Sequence, residues 1–172
     1  MTDDASSDAP QDAPKPRKLT QEEKRQMKSA SRLYAVQALF QMEAAGQGAD
    51  KVRREFEDFR FGAVDEDGTE MAEGNLDLFR RLIDDAVTWQ AKIDQATDRA
   101  LVAKWPIDRI DPVLRALFRA AGAELITPAT PPRVVITEFV DVARAFFPEG
   151  KEPKFVNAVL DHMARALQPD AF

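Results

Sequence analysis

Apolar residues recur every three or four positions along most of the chain, the spacing expected when one face of an α-helix is buried. The pattern predicts helices at about 20–45, 50–61, 76–105, 112–125, 134–147 and 154–167, with a break allowed within the third. No segment shows the apolar–polar alternation typical of a half-buried strand. We therefore predict an all-α fold, a compact bundle of about six or seven helices with short connections.

Local signals support several of the predicted helix ends. Thr20 with Glu23 three residues later forms a capping-box pattern at the start of the first helix. Gly46 follows the last apolar position of that helix and is expected to end it. Asp111 followed by Pro112 is a typical helix start, with the aspartate as N-cap and proline in the first turn.

Each predicted helix carries an apolar face that we expect to be buried. The expected inward positions in the first half of the chain are Leu33, Val36, Leu39, Phe40, Val52, Phe56, Phe59, Leu76, Phe79, Leu82, Ile83 and Val87. Those in the second half are Val113, Leu114, Leu117, Phe118, Leu125, Val135, Phe139, Val142, Phe146, Phe155, Val156, Val159, Leu160 and Met163.

Two polar segments interrupt this pattern. Residues 1–19 are rich in Asp, Ser and Pro and poor in apolar residues, so they bury too little surface to offset the entropy of ordering. We predict a disordered tail at 1–19 and one helical domain at 20–168. Residues 62–74 are predicted to form a loop. This loop does not match an EF-hand, because Ala63 and Gly74 occupy the first and twelfth positions that should be acidic ligands.

Charge is distributed unevenly along the chain. The net charge is −6, yet residues 15–32 contain seven basic and two acidic residues. Because salt screens charges beyond about 8 Å, a basic segment on an acidic body can still bind a polyanion locally. No apolar run approaches the roughly 20 residues of a membrane-spanning helix, and no signal peptide is evident. We expect no membrane association and a cytoplasmic location.

Enzyme chemistry finds little support in the residues. Cysteine is absent and His162 is the single histidine, which excludes a thiolate nucleophile or a thiolate metal site. No nucleophile elbow, phosphate-binding loop or dinucleotide-binding glycine pattern is present. We predict that the chain is not an enzyme and uses no cofactor or metal.

The first helix supplies the clearest candidate binding surface. Lys24, Lys28 and Arg32 are spaced four residues apart and so line one side of the helix, with Arg25 alongside. Cations near a helix N-terminus interact unfavourably with the helix dipole. Their presence here therefore suggests that they bind an anionic partner. The alternative is a solvated charged face partly paired with nearby glutamates.

The last helix supplies a second candidate surface. Lys154 and Asn157 share a polar stripe, and Lys151 lies in the preceding loop. Lysines and amides can contact phosphates and bases, and Phe155 could stack on an unpaired base. The alternative for Phe155 is a core position.

Four strings resemble the NusB family when taken together. They are SRLYAVQALF at 31–40, IDRIDPVLRALFR at 107–119, PRVVITE at 132–138 and KFVNAVLD at 154–161. Each is moderately specific alone. Their order and spacing, over about residues 24–168, make the resemblance strongly specific.

The resemblance implies two packed three-helix halves and a defined set of partners. Members of the family bind the boxA element of single-stranded RNA with the ribosomal small-subunit protein NusE. They act on the RNA polymerase elongation complex with other Nus factors, above all in ribosomal RNA operons. Both monomers and homodimers are compatible with the family. The RNA-binding residues that the resemblance implies are Lys28, Arg32, Lys154, Phe155 and Asn157. The charge pattern of the two candidate surfaces adds Lys24, Arg25 and Lys151 to the predicted set.

The chain also departs from the family pattern. Ser29, Ala30 and Ser31 interrupt what is often a dense arginine run, and Thr137 stands where the family has asparagine. Two alternatives remain open at this point. One is a helical protein–protein adaptor that binds no RNA, and the other is a stand-alone relative of the NusB-like domain of RNA cytosine methyltransferases.

Overall fold

The structure is a computed structural model that describes residues 18–62, 73–101 and 110–172, and these residues contain seven α-helices and no strand. The helices are α1 (Gln21–Ala45), α2 (Ala49–Phe59), α3 (Leu76–Thr88), α4 (Gln90–Ala100), α5 (Pro112–Ile126), α6 (Pro132–Phe146) and α7 (Glu152–Leu167). A short 3₁₀ turn, Pro169–Ala171, follows. The predicted all-α class is confirmed. Most of the predicted tail and of the 62–74 loop lies outside the described residues.

The predicted helix starts are confirmed at the level of single hydrogen bonds. The Thr20 hydroxyl accepts a hydrogen bond from the Glu23 backbone N–H at 3.1 Å. The Asp111 carboxylate accepts one from the Val113 N–H at 2.7 Å. Both bonds satisfy N–H groups that have no partner within the helix. At the other end of α1, Gly46 adopts a left-handed conformation with φ of 63°, as a helix-ending glycine does.

Several boundaries differ from the prediction. The helical run predicted over 76–105 has its allowed break at Trp89, between α3 and α4, but it ends at Ala100, since Leu101 is extended. Helix α2 ends at Phe59 rather than at 61. Helices α6 and α7 begin two residues earlier than predicted, at Pro132 and Glu152. Proline is tolerated in a first helical turn because the N–H it lacks would be unpaired there anyway.

Helix α5 lies at the centre of the bundle. It packs against α1, α3, α4, α6 and α7, whereas α1, α2 and α3 also pack against one another. The predicted first three-helix half therefore corresponds to α1–α3, and α4 joins α5, α6 and α7 in the second. A single apolar core runs through both groups.

Most of the predicted apolar positions are buried or partly buried in this core, but five are exposed. Phe59 is 72% exposed, Val87 47%, Leu76 42%, Phe155 38% and Phe40 37%. Position around the helix does not explain the exposure of Phe59, since seven residues bring it within about 20° of the buried Val52. Phe59 is the last residue of α2, and tertiary packing leaves it in solvent although Phe56 is buried.

Four aromatic rings join α1, α2 and α3. The ring of Tyr34 stacks on that of Phe61 with centroids 4.7 Å apart, and it meets Phe56 at 6.3 Å. Phe79 meets Phe56 at 5.9 Å and Phe61 at 5.0 Å. This aromatic cluster anchors α2 to the rest of the bundle.

Gly122 permits the close approach of α4 and α5. A Cβ atom at this position would lie 2.3 Å from the Ile93 Cγ2. Both residues are buried, so a larger side chain at 122 would force the two helices apart.

Candidate nucleic-acid interface

Two lysines near the start of α1 are available for binding. Lys24 and Lys28 are exposed, and neither forms an ion pair among the residues that the structure describes. They follow Thr20, whose capping bond holds the first turn of the helix. The two ammonium groups therefore present unneutralised positive charge one helical turn apart.

Arg25 is exposed but already has a partner. Its Nη2 lies 2.6 Å from the Glu22 carboxylate three residues earlier, with both side chains largely exposed. Such surface pairs contribute little free energy and can be exchanged for another anion. Arg25 lines a groove of about 660 Å³ between α1 and α6, which also contains Glu138 and Asp141. The other charged side chains lining this groove are the carboxylates of Glu22, Glu138 and Asp141, so Arg25 faces an acidic surface.

Arg32 is buried and paired, although the sequence places it in the predicted RNA-binding set. Its side chain is only 4% exposed, and its Nε and Nη2 each lie 2.8 Å from a carboxylate oxygen of Glu124 on α5. Its Nη1 lies 3.5 Å from Glu138 on α6. A guanidinium that is buried and bound to two carboxylates is not presented to a phosphate. Arg32 instead ties α1 to α5 and α6.

The charged state of Arg32 is maintained by these partners. Burial alone would lower the pKa of the guanidinium, but hydrogen bonding to Glu124 and the negative charges of Glu124 and Glu138 outweigh that effect and raise the pKa above its ordinary value. The positive charge of Arg32 is therefore neutralised by Glu124 and Glu138 inside the protein.

The serines that interrupt the basic run have structural partners as well. The Ser29 hydroxyl donates to Glu138 at 2.8 Å. The Ser31 hydroxyl donates to the Asn75 carbonyl at 2.8 Å, and it accepts from the Asn75 N–H at 2.6 Å. These bonds fix the start of α3 and the side of α6 against α1, and so they position the helix that carries the two lysines.

Residues predicted from the last helix are all at the surface. Lys151 precedes α7, and Lys154 and Asn157 lie in its first turns; all three are exposed. Among the described residues, none of the three has an ion pair or side-chain hydrogen bond. Their polar groups are free to contact a ligand.

Phe155 is partly exposed, as a ring that stacks on a base would be, and partly packed into the core. It is 38% exposed, and its ring meets the fully buried Phe118 of α5 edge to face, with centroids 6.2 Å apart. The buried contact holds the ring in place, and the exposed part leaves area for stacking. A ring anchored in this way loses little conformational entropy when a base stacks on it.

The two predicted surfaces are connected through the same central helices. Helix α6 packs against both α1 and α7, and α5 carries both Glu124, which holds Arg32, and Phe118, which holds Phe155. Relative positions of the α1 lysines and the start of α7 are thus set by packed helices rather than by loops.

One residue near this surface escaped the sequence-based prediction. Arg81 of α3 lines a cleft of about 320 Å³ together with Lys28 and Arg32. It falls next to the predicted apolar face of α3, and its only distinguishing signal in the sequence is the adjacent pair Arg80–Arg81.

The described residues offer no competing chemical site. They contain no cluster of three or more histidine, cysteine or acidic side chains arranged to hold a metal ion. His162 is exposed on α7. Within the same residues, no helix is both long and apolar enough to cross a membrane.

Comparison with known proteins agrees with this arrangement. The sequence profile of the NusB family matches residues 29–165 of this chain. The transcription antitermination protein NusB of Maricaulis maris is 47% identical over 152 residues, covering 88% of this chain and 94% of the relative. The protein of the same name from Granulibacter bethesdensis is 45% identical over 150 residues, covering 84% and 91% respectively. These relatives are named for antitermination rather than for a catalysed reaction, in agreement with the prediction that the chain is not an enzyme.

Solved structures give the same result for the fold. NusB of T. maritima aligns with a TM-score of 0.65 at 27% identity, covering 83% of this chain and 93% of that one. A chain from a crystal structure of the antitermination factors NusB and NusE in complex with double-stranded RNA aligns with a TM-score of 0.62 at 25% identity, covering 80% and 96%. From the family match, the sequence identity and the shared helical architecture together, we conclude that this chain belongs to the NusB family.

Proposed function

We propose that this chain is a transcription antitermination factor that binds boxA single-stranded RNA together with the ribosomal protein NusE. It acts in the cytoplasm as an adaptor on the RNA polymerase elongation complex with other Nus factors, and it makes or breaks no bond. The names of its relatives support antitermination, and the solved complex of a NusB with NusE and RNA supports both partners. These relatives also favour this role over that of a methyltransferase-associated domain.

The observation that carries the proposal is the pair of exposed, unpaired lysines on α1. Lys24 and Lys28 retain their positive charge for a partner, whereas Arg32 on the same helix is neutralised internally. In a body of net charge −6, such local positive charge favours an anionic strand. Lys151 and Lys154 would bind further phosphates, while Phe155 and Asn157 would contact unstacked bases.

Reversing the charge of both α1 lysines should weaken RNA binding. For Lys24→Glu/Lys28→Glu we expect roughly a tenfold or larger loss of affinity for single-stranded boxA RNA. The slope of log affinity against log salt should fall by about 0.7 for each phosphate that the variant no longer binds, because fewer counterions are released. The measurement is a fluorescence titration at several salt concentrations, with purified NusE present.

A matched control separates this local effect from the change in net charge. Lys51 and Arg54 are exposed on α2 and have no ion pair among the described residues. The variant Lys51→Glu/Arg54→Glu changes the net charge by the same amount and should keep the original salt slope. Equal losses in the two double variants would contradict the assignment of the α1 lysines.

Asn157 tests whether the last helix reads bases. Because the Asn157 side chain is exposed and forms no hydrogen bond among the described residues, Asn157→Ala should leave the melting temperature unchanged. We expect the affinity ratio between boxA RNA and a scrambled strand to fall by roughly tenfold, the size of effect expected from one hydrogen-bonded base. An unchanged ratio would remove Asn157 from the interface, and a marked drop in melting temperature would make it a structural residue.

RNA binding also decides between the proposed function and a protein–protein adaptor. An adaptor without RNA binding would co-purify with NusE and leave boxA RNA unbound at every salt concentration. Titration with and without NusE distinguishes the two.

A further inference from the structure

A cleft next to the α1 lysines contains cations that the internal ion pairs do not use. It lies between α1, the start of α3 and the residues preceding α6, and it has a volume of about 320 Å³. Charged groups lining it are Lys28, Arg32, Asp77, Arg81 and Glu124. Its size falls in the range of sites that hold small ligands.

The charged side chains leave the cleft with a net positive charge. Arg32 and Glu124 are bound to each other at 2.8 Å and neutralise one another. The remaining charged side chains are the cations Lys28 and Arg81 and the carboxylate of Asp77. Two free cations therefore face one exposed carboxylate.

Arg81 differs from the other arginines in similar surroundings. Among the described arginines that are buried or half-buried, it alone has no carboxylate partner. That set is Arg32, Arg53, Arg81, Arg115 and Arg119. The Nε of Arg81 is buried without a hydrogen-bond acceptor among the described residues. The two Nη groups of Arg81 are not buried and have no acceptor among the described residues, so they can bind an external acceptor.

The chemistry of the cleft fits a phosphate group. A guanidinium binds phosphate oxygens through its planar fork, and a lysine adds a compact positive charge. Asn75, the N-cap of α3, also lines the cleft, so the partial positive charge of that helix start adds to the field. Lys24 lies one helical turn before Lys28, so the cleft continues the surface proposed for RNA.

We propose that this cleft is a phosphate subsite in which Arg81 and Lys28 together bind one phosphate group. Where the phosphate belongs to an RNA backbone, the inference rests on the proposed function. A free phosphate ion would use the same chemistry, so the experiment must separate the two sources.

The test compares Arg81→Gln with Arg54→Gln, which removes the same charge from an exposed position on α2 that is unpaired among the described residues. With NusE and single-stranded boxA RNA, Arg81→Gln should lose about tenfold in affinity and about 0.7 in salt slope. Arg54→Gln should stay within about twofold of the parent. A parent-like affinity and slope for Arg81→Gln would exclude an RNA phosphate from the cleft.

A second arm uses inorganic phosphate and no RNA. The NMR signals of the Arg81 Nε–H and of the Lys28 backbone should shift on titration with phosphate but not with an equal ionic strength of chloride. A shift of the Lys28 backbone signal that is seen in the parent and lost in Arg81→Gln supports the subsite even if the protein fails to bind RNA, in which case only the proposed function fails. Shifts with no effect of the variant on RNA binding assign the cleft to free phosphate. Absence of both effects overturns the subsite.

Asp77→Asn keeps the proposal testable should Arg81→Gln unfold. Asp77 is exposed and opposes the two cations, so its neutralisation should raise affinity for both RNA and inorganic phosphate by a fewfold. The control Asp58→Asn, on the exposed surface of α2, should have a smaller effect. Equal effects of the two aspartate variants would count against the cleft.

Discussion

Replacing Arg32 with alanine should lower the free energy of unfolding by about 3–5 kcal/mol. The substitution removes a buried guanidinium whose Nε and Nη2 each lie 2.8 Å from Glu124. Glu124 is 1% exposed, so its carboxylate would be left buried with its main partner gone. Glu138 would lose a charged neighbour at the same time. The effect should therefore far exceed the worth of an ordinary surface ion pair.

Arg25 supplies the control for this prediction on the same helix. It pairs with Glu22 at the surface, and Arg25→Ala should change the free energy of unfolding by less than about 1 kcal/mol. Urea unfolding of both variants, monitored by circular dichroism, measures the two changes. Similar small changes for both variants would mean that the buried ion pair does not stabilise the fold.

The same comparison bears on binding. If Arg32 is only structural, folded Arg32→Ala should keep the RNA affinity of the parent. The amount of bound RNA should fall only by the fraction of the variant that is unfolded. If folded Arg32→Ala lost affinity and salt slope as strongly as the Lys24→Glu/Lys28→Glu variant, Arg32 would have to contact RNA directly, and its reassignment to a structural role would be wrong.

Replacing Phe79 with alanine should also lower the free energy of unfolding by about 3–5 kcal/mol, because apolar burial decreases and a cavity is left behind. Phe79 is fully buried and contacts the rings of Phe56 and Phe61. Favourable ring geometry adds to the effect. Because these rings belong to the aromatic cluster that anchors α2, the variant should release α2 first.

Phe59 provides the matched control. It is a phenylalanine on α2 that is 72% exposed, and Phe59→Ala should change the free energy of unfolding by less than about 0.5 kcal/mol. Chemical denaturation gives both values, and amide hydrogen exchange locates the opening of α2. A large loss of stability for Phe59→Ala would mean that this face of α2 is covered by a partner in solution.

The sequence predicts Lys24, Lys28 and Lys154 as cations of the binding surface, and the structure places all three side chains in solvent. Spacing alone does not decide which cations are exposed. Arg32 shares their spacing but not their role. Its interior carboxylate partners, Glu124 and Glu138, belong to helices far along the chain, and no local pattern relates residues so distant.

Arg81 is the converse case, because the sequence does not predict it as a binding residue and the structure places it in the cleft. Its neighbour Arg80 is paired with Glu57 of α2 at 2.6 Å, whereas Arg81 turns towards the cleft beside Lys28. Two adjacent arginines are equivalent in a sequence. A rotation of about 100° between successive helical positions and the placement of α1 beside α3 give them different partners.

The sequence by itself determined the helical class, the caps at Thr20 and Asp111, and most of the buried faces, because these depend on residues within a few positions of one another. Tertiary packing decided which cations stay in water. It brought Glu124 and Glu138 against Arg32, left Lys24 and Lys28 unpaired among the described residues, and turned Phe59 outwards. The physical reason is that burial and ion pairing are set by contacts between helices, and the free energy of a charge depends on that surrounding rather than on its place in the chain.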